Sequence, residues 1–336
     1  MTTTIAPPTR TALRTRLGDS DQAYLVFAVT VVLALVGGAT TGNFLTTGNL
    51  TTILNLSSAF GIMAIGQAIV VLGKGLDLSI AGIGLGCAQT TLALMNTGWS
   101  TGSAIVTMVI VAGLIGLTNG LLIAIFELPA LFVTLATGML AIGGIGLLVL
   151  TQNVYNVPPG SVLASLNGNT AGIPRPVILA AAVFVLAWLF IAHTVPGRLI
   201  RAMGDNFATA RTSGAPVRPL QVLTYVISAL LAAIAGFVTV AIQGSVQTTS
   251  TSFAPILFTA LTVVVIGGIS LSGGRGTVLG VLAGALFVGV LNSLLMMHGL
   301  STAIQDLIRG AVLLAAIAFD AWLHPRDAET EKSGEL

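Results

Sequence analysis

Residues 103–125 read SAIVTMVIVAGLIGLTNGLLIAI, a run of 23 residues without a charged side chain. A helix of about 20 mostly apolar residues crosses the roughly 30 Å hydrocarbon layer of a membrane. Ten such runs predict transmembrane helices at 24–40, 50–72, 77–96, 103–125, 130–150, 176–194, 220–242, 254–272, 277–297 and 303–322. The glycine-rich run 77–96 fits either a full span or a re-entrant segment. The sequence therefore predicts an all-α polytopic membrane protein with about ten transmembrane helices.

The composition supports this fold class. Charged residues form 7% of the 336 positions and hydrophobic residues form 55%. Soluble domains have about 25% charged residues, so a soluble globule could not cover its surface with this sequence. The 40 glycines suit close contacts between helices, because lipid provides no hydrophobic force between them. The net charge of +2 gives no reason to expect a nucleic-acid partner, and the single cysteine, Cys87, rules out a disulfide framework.

The basic residues predict how the chain is threaded, because lysine and arginine accumulate in cytoplasmic loops. With a cytoplasmic N-terminus, ten spans leave only Arg175 and Arg309 of the 13 basic residues outside. The inside residues are Arg10, Arg14, Arg16, Lys74, Arg198, Arg201, Arg211, Arg218, Arg275, Arg326 and Lys332. We therefore expect a cytoplasmic segment 1–23, a transmembrane domain 24–322 and a cytoplasmic tail 323–336. The expected location is the plasma (cell inner) membrane, with both termini in the cytoplasm.

A faint internal repeat relates the two halves of the chain. Six residues align without gaps with residues 173 positions later, namely Gly116, Asn119, Leu121, Leu122, Ala130 and Leu140 with Gly289, Asn292, Leu294, Leu295, Ala303 and Leu313. The copies cover spans four and five and spans nine and ten. An offset of five spans places the copies in opposite orientations, as in the inverted repeats of transporters. In so apolar a sequence, chance identity is the alternative explanation.

The sequence has no complete site for ATP hydrolysis or other enzymatic chemistry. Residues 271–275 (LSGGR) look like the LSGGQ signature of ATP-binding cassette ATPases, but no G-x-x-x-x-G-K-[ST] phosphate loop accompanies them. A tight glycine-rich turn between spans eight and nine explains this stretch. His193, His298 and His324 lie at predicted membrane edges on different spans. We therefore expect no catalytic residues and no metal site.

Five polar residues in or beside the spans are candidates for the translocation path or a gate. Asp306 and Arg309 lie three positions apart on one helical face and can neutralise each other. Asn119 and Asn292 lie well inside spans four and nine, where hydrogen bonding between helices is the simpler explanation. Asp77 lies at the start of the third span. Because no carboxylate lies deep in a span, the sequence argues against a proton- or sodium-coupled carrier, although backbone carbonyls can also hold sodium.

The loop 195–219 contains four arginines and the strongest local signals outside the spans. Asn206 can N-cap a short helix that runs to about Thr212, and Gly214 can close that helix in a left-handed conformation. A capped helix that projects into the cytoplasm is suited to dock another protein. An ordinary positive-inside loop, which needs no partner, is the alternative that the residues leave open.

Four stretches of the chain resemble the ribose-type ABC sugar permeases. Residues 197–214 resemble that family's G-R-x-x-x-A-x-G-x-N-x-x-A-A-x-x-S-G-I pattern, and residues 75–79 (GLDLS) resemble its G-[IL]-D-L-S element. Residues 119–122 (NGLL) and 266–276 (IGGISLSGGRG) are also similar to it. The similarity runs in the same order from about residue 50 to residue 322.

The resemblance implies the ABC importer permease fold and a membrane subunit that forms the translocation path for a monosaccharide or a related small polyol. It also implies that the loop couples the chain to a cytoplasmic ABC ATPase through Gly197, Arg198, Ala202, Gly204, Asn206, Ala210, Arg211, Ser213 and Gly214. The other implied partners are a periplasmic or extracellular sugar-binding protein and a second permease copy or a sister permease. ATP would bind to the ATPase subunit, so this chain would bind no cofactor of its own.

Three departures from the family pattern affect the expected fit to the ATPase. Thr209 replaces the first alanine of the A-A pair, Phe207-Ala208 stands where acidic residues are common, and Ala215-Pro216 follows the S-G pair. Three further function classes compete with the permease interpretation. A stand-alone secondary carrier for a small polar solute is the main alternative, and a passive channel would instead show downhill flux without any partner. An intramembrane enzyme would need paired polar groups at one depth, which the spans lack.

Overall fold

The computed structural model describes residues 19–149, 151–248 and 253–323, and most of this chain is helical. The helices are α1 Asp19–Thr40, α2 Thr47–Leu72, α3 Ile80–Asn96, α4 Thr101–Ala124, α5 Ala130–Val149, α6 Val162–Leu166, α7 Arg175–His193, α8 Val195–Asp205, α9 Phe207–Thr212, α10 Val217–Gln243, α11 Ala254–Ile266, α12 Val278–Met297 and α13 Thr302–Leu323. Each of the ten predicted spans overlaps one of these helices. Residues 1–18 and 324–336, which include the expected basic termini and His324, lie outside the described residues.

Four short strands lie in the loops between these helices. The strands are β1 Val154–Asn156, β2 Asn169–Thr170, β3 Ile173–Pro174 and β4 Ser245–Gln247. β1 and β4 pair antiparallel, with Tyr155 opposite Val246, and β2 pairs antiparallel with β3. The loop after α5 is therefore joined to the loop after α10, as expected for two loops on the same side of the membrane.

Seven helices in the described part of the chain are long and apolar enough to cross a membrane. They are Asp21–Thr40, Thr47–Leu72, Thr101–Ala124, Arg175–His193, Val217–Gln243, Val278–Met297 and Thr302–Ala321. Three further apolar helical segments are shorter, at Ile80–Asn96, Ala254–Ile266 and Ala130–Gly144, the last being the part of α5 whose side chains the structure describes. The chain is thus a multi-pass helical membrane protein, whereas the count of ten spans stays a prediction.

The predicted end of the span 254–272 is wrong, because α11 ends at Ile266. Gly268 has a φ of +78°, a left-handed conformation that cannot continue an α-helix. The apolar character of the residues that follow hid this break in the sequence. Three more glycines before α12 have positive φ, namely Gly273, Gly274 and Gly276. The predicted glycine-rich turn between spans eight and nine is confirmed.

The two most central helices are α2 and α10. α10 packs against α2, α3 and α4, and α2 also packs against α7, α11 and α12. Small residues allow these approaches, since a Cβ atom on Gly236 of α10 would overlap the carbonyl oxygen of Gly84 on α3. Contacts of this kind are typical of helices that associate in lipid.

The contact between α12 and the end of α11 gives a test of this packing. A Cβ atom on Gly280 would overlap the carbonyl oxygen of Gly267, whereas a Cβ atom on Gly310 of α13 would meet no atom within 4 Å. We expect Gly280→Ala to lower the free energy of unfolding by about 1–3 kcal/mol through overpacking. We expect the control Gly310→Ala to be neutral or stabilising by up to about 1 kcal/mol, because alanine favours a helix over glycine.

Titration of both purified variants with SDS in mixed micelles measures these changes. Equal stability of the two variants would contradict the packing of α12 against α11.

Candidate functional site

One end of the helical bundle gathers the loops that the charge pattern places in the cytoplasm. The amide of Gly274 donates to the carbonyl oxygen of Leu72 at 2.9 Å, and the Arg201 guanidinium donates to the carbonyl oxygen of Gly276 at 2.8 Å. An ion pair between Arg218 and Glu127, with an N–O distance of 2.9 Å, joins the start of α10 to the turn after α4. Six described basic residues belong to this end, namely Lys74, Arg198, Arg201, Arg211, Arg218 and Arg275.

The predicted capped helix in the 195–219 loop is confirmed as α9. The amide of Thr209 donates to the Asn206 Oδ1 atom at 2.9 Å, which is the expected N-cap bond. The helix ends at Thr212, and Gly214 has a φ of +81°. Asn206 also ends α8, since its amide donates to the carbonyl oxygen of Ala202 at 3.1 Å. One asparagine therefore sets the bend between two successive helices.

The surface formed by residues 206–214 is exposed except at Ala210. We name it the coupling surface after the role that the family resemblance implies for it. The amide of Ala215 donates to the carbonyl oxygen of Ala210 at 3.1 Å, which fixes the return of the chain after α9. A groove of about 400 Å³ lies beside it, lined by α8, α9 and residues 213–216. Arg211 and Ser213 are exposed on this surface, and Ala202 lines the groove from α8.

α8 holds the coupling surface against the bundle. A Cβ atom on Gly204 would overlap the carbonyl oxygen of Leu72, and a Cβ atom on Gly197 would overlap the carbonyl oxygen of Phe190 on α7. Both glycines are buried, so they permit backbone contacts instead of facing solvent. Arg198 is exposed and its Nη1 atom donates to the carbonyl oxygen of His193 at 3.4 Å. Of the nine predicted coupling residues, Gly197 and Gly204 therefore position α8.

A second polar centre lies in the protein interior, around Asp77. The carboxylate is 0% exposed. Its Oδ1 atom accepts from the amide of Ser79 at 2.9 Å and from the hydroxyl of Ser79, and its Oδ2 atom accepts from the hydroxyl of Ser228 at 2.7 Å. The Nδ2 atom of Asn119 donates to the hydroxyl oxygen of Ser79 at 2.9 Å. Thus Asp77 links the start of α3 to α10 and, through Ser79, to α4.

A third polar cluster lies on α12 and α13. Arg309 forms the predicted ion pair with Asp306, at an N–O distance of 2.8 Å. Its Nε atom also donates to the Asn292 Oδ1 atom at 2.9 Å, and its Nη2 atom donates to the Gln305 Oε1 atom at 3.0 Å. The expected hydrogen bonding of Asn292 between helices is confirmed. Among the described residues, no contact joins this cluster to the Asp77 centre.

Sequence reasoning found Asp77 and Asn119 separately but missed that they share a hydrogen-bonded centre. Ser228 was missed because it lies in a long apolar run, 151 residues after Asp77. Thr134 on α5 was also missed, although its Oγ1 atom accepts from the amide of Leu78 at 3.0 Å. Isolated hydroxyl residues in apolar helices were the available signal, since each such group needs a partner in a membrane.

Residues 49–317 match the protein family described as branched-chain amino acid transport system, permease component. The chain belongs to this permease family. The match covers α8, α9 and all five polar candidates for the translocation path. Members of this family are transport permease subunits and not catalytic enzymes.

Several curated proteins are similar to this chain over most of their length. The ribose import permease protein RbsC of Escherichia coli strain K12 is 32% identical over 304 residues, which cover 88% of this chain and 92% of the relative. The fructose import permease protein FrcC of Rhizobium meliloti is 30% identical over 91% of this chain and 87% of the relative. The galactofuranose transporter permease protein YtfT of Escherichia coli strain K12 is 32% identical over 79% of this chain and 77% of the relative. No solved structure matches this permease.

The hydrogen bond between Ser228 and Asp77 gives a test of the interior centre. We expect Ser228→Ala to lower the free energy of unfolding by about 1–3 kcal/mol, because it leaves a buried carboxylate with one donor fewer. Ser58→Ala on α2 is the matched control, since the Ser58 hydroxyl donates only to its own helix at Leu54 and alanine is the better helix former. Unfolding in mixed micelles measures both variants, and equal stability would contradict the role of Ser228.

Proposed function

We propose that this permease forms the translocation path of an ABC importer for a monosaccharide or a related small polyol. Three relatives named above are import or transport permeases for ribose, fructose and galactofuranose. An autoinducer 2 import permease of Enterobacter is 33% identical over 88% of this chain, so relatives of this chain also import a solute that their names do not call a sugar. The chain would work in the cell inner membrane.

The single observation that carries the mechanism is the capped, exposed helix α9. It projects from the end of the bundle where the basic loops meet, and a groove of about 400 Å³ lies beside it. A short, rigid helix with an exposed surface is suited to seat in a partner, because little conformational entropy is lost when it binds. We assign this surface to the cytoplasmic ABC ATPase, and ATP binds to that partner. The positive-inside rule supports the cytoplasmic side for this end.

The path from α9 into the membrane runs through α8. Gly204 brings α8 into backbone contact with Leu72 at the end of α2, and the same carbonyl oxygen accepts from Gly274 before α12. A displacement of α9 by the ATPase would therefore act on the central helix α2 and on the turn between α11 and α12 together. ATP binding would bias the equilibrium between inward- and outward-facing states through this contact.

We also propose ten spans arranged as an inverted repeat. Gly116 of α4 packs on α10, where a Cβ atom would lie 2.7 Å from the carbonyl oxygen of Tyr225. Gly289 of α12 packs on α2, where a Cβ atom would lie 3.0 Å from the carbonyl oxygen of Ile53. Gly289 follows Gly116 by 173 positions, and Tyr225 follows Ile53 by 172.

The side-chain contacts at these glycines support the same relation. A Cβ atom on Gly116 would also meet the Cβ atom of Ala229, and a Cβ atom on Gly289 would overlap the hydroxyl of Ser57. Ala229 follows Ser57 by 172 positions. The helix contacts follow the same relation, in which α2, α3 and α5 of the first half correspond to α10, α11 and α13 of the second. α3 packs on α5 and α10, and α11 packs on α13 and α2.

Three further partners complete the proposed importer. The opposite end of the bundle, where β1 pairs with β4, would receive the sugar from a periplasmic or extracellular binding protein. A second copy of this chain or a sister permease would supply the other half of the path. In this arrangement Asp306, Arg309 and Asn292 are candidates for a gate near the outer end, and Asp77 with Asn119 holds the inner ends of α3 and α4 in register.

The coupling assignment is tested at Ala208, which is exposed on α9. We expect Ala208→Trp to abolish copurification of the ATPase and ATP-driven uptake, because the bulky ring prevents close docking. The residue is exposed, so membrane insertion and the elution profile of the purified chain should not change. Val162→Trp on α6, a short helix in the loop after α5, is the control and should leave copurification intact. Normal uptake with Ala208→Trp would overturn the assignment.

Reconstitution separates the ABC importer from the stand-alone secondary carrier. We expect liposomes that contain the permease alone to show no uphill uptake of ribose, fructose or galactose under a proton or sodium gradient. Addition of the ATPase, the binding protein and ATP should start uptake of one of these sugars. Ion-driven uphill uptake by the permease alone would favour the carrier instead.

A further inference from the structure

The glycine-rich turn between α11 and α12 lies against the end of α8. A Cβ atom on Gly273 would lie 2.7 Å from the carbonyl oxygen of Gly204, and a Cβ atom on Gly274 would lie 2.9 Å from the Cα atom of Asp205. The next residue, Asn206, begins the coupling surface and caps α9. The turn is therefore a direct neighbour of the coupling surface, although the two are far apart in sequence.

Backbone hydrogen bonds hold this turn in one shape. The amide of Ser270 donates to the carbonyl oxygen of Arg275 at 3.2 Å, and the amide of Gly273 donates to the carbonyl oxygen of Ser270 at 3.0 Å. The amide of Gly274 anchors the turn to α2 through the carbonyl oxygen of Leu72. Gly273 and Gly274 have positive φ, which glycine adopts without strain. The tip of the turn is thus displayed on a rigid base.

Three side chains of the turn are exposed, namely Leu271, Ser272 and Arg275. Arg275 makes no ion pair within the part of the chain that the structure describes. Since a charged side chain is costly in hydrocarbon, Arg275 and Ser272 place the tip in water. Leu271 is 39% exposed there, and Phe207 at the near end of the coupling surface is also 39% exposed. Two large apolar side chains thus lie open to water on adjoining elements, with polar groups around them, as at protein interfaces.

The coupling surface is too small to hold a partner by itself. A stable interface takes about 20–30 residues from each protein, whereas α9 has six residues. A partner that covers Phe207 must therefore extend over neighbouring elements. The turn is such a neighbour, because its glycines touch the residues immediately before α9.

We propose that residues 271–275, which we name the second contact, bind the cytoplasmic ABC ATPase together with the coupling surface. This inference rests on the proposed function, since it assigns the second contact to the partner proposed for α9. The matching surface of the ATPase has an apolar recess for Leu271 and a carboxylate for Arg275, because charge complementarity sets the register of an interface.

The second contact gives the ATPase a second hold on α2. Gly204 on α8 and Gly274 in the turn both meet the carbonyl oxygen of Leu72. A partner that grips only α9 could turn that short helix about its bend at Asn206. A partner that grips the turn as well would transmit its movement to the end of α2 from both sides.

Binding measurements on the purified full chain in detergent test the proposal. The probe is the purified ABC ATPase that copurifies with the unsubstituted permease, and biolayer interferometry gives its affinity. We expect Leu271→Ser to weaken binding about tenfold, because it removes an apolar anchor. Leu279→Ser is the matched control, since Leu279 is 40% exposed but lies on α12, outside the turn. It should bind the ATPase like the unsubstituted chain.

The charge of the second contact is tested separately with Arg275→Gln. We expect this variant to bind about threefold more weakly at low salt, as for a partly exposed ion pair. The difference should vanish at about 0.5 M sodium chloride, because salt screens exposed charges. A loss that is independent of salt would contradict the proposed carboxylate partner. This variant also decides the matter if Leu271→Ser fails to fold, as judged by its elution profile.

Comparison with Ala208→Trp separates failure of this inference from failure of the proposed function. Unchanged binding in Leu271→Ser and Arg275→Gln, together with loss of binding in Ala208→Trp, would overturn the second contact alone. Unchanged binding in all three variants would overturn the ATPase assignment as well. Equal weakening by Leu279→Ser would indicate a general effect of lost apolar surface and would also overturn the second contact.

Discussion

The carbonyl oxygen of Leu72, at the end of α2, joins three parts of the chain that are distant in sequence. It accepts a hydrogen bond from Gly274 in the turn between α11 and α12, and it lies in backbone contact with Gly204 on α8. The contact leaves no room for a Cβ atom at position 204, so it requires glycine there. This arrangement connects an exposed surface at one end of the bundle to the central helix within it. The proposed transmission of force from an ATPase rests on that connection.

Hydrogen bonds between polar groups hold the helices of the permease together in its interior. A polar group without a partner would cost free energy there, because lipid offers no hydrogen bonds. Asp77 holds the start of α3 against α10, and Asn119 extends the same centre to α4. Arg309 on α13 joins α12 in the same way, through its hydrogen bond to Asn292. Between these centres, glycines and alanines allow the helices to touch by backbone. A protein built in this way can shift between a small number of packed arrangements, which suits alternating access.

Local signals in the sequence predicted local structure well. The pair of Asn206 and Gly214 predicted both ends of α9, because capping depends on residues a few positions away. The predicted end of the span 254–272 was wrong, because an apolar run cannot reveal that Gly268 takes a left-handed conformation. The burial of Asp77 could not be predicted, since its partner Ser228 comes from a distant helix. The family pattern supplied the function, because neither charge nor periodicity names a substrate.

The transmission of force requires that α8, which holds the coupling surface against the bundle, and the end of α2 move as one body. Spin labels at the exposed Val195 on α8 and at Lys74, two residues after α2, measure this by pulsed electron paramagnetic resonance in the assembled transporter. We expect the same label-to-label distance with and without trapped ATP, while the distance from Val195 to a label on α13 changes. A distance between Val195 and Lys74 that shifts on ATP binding would contradict the transmission of force through this contact.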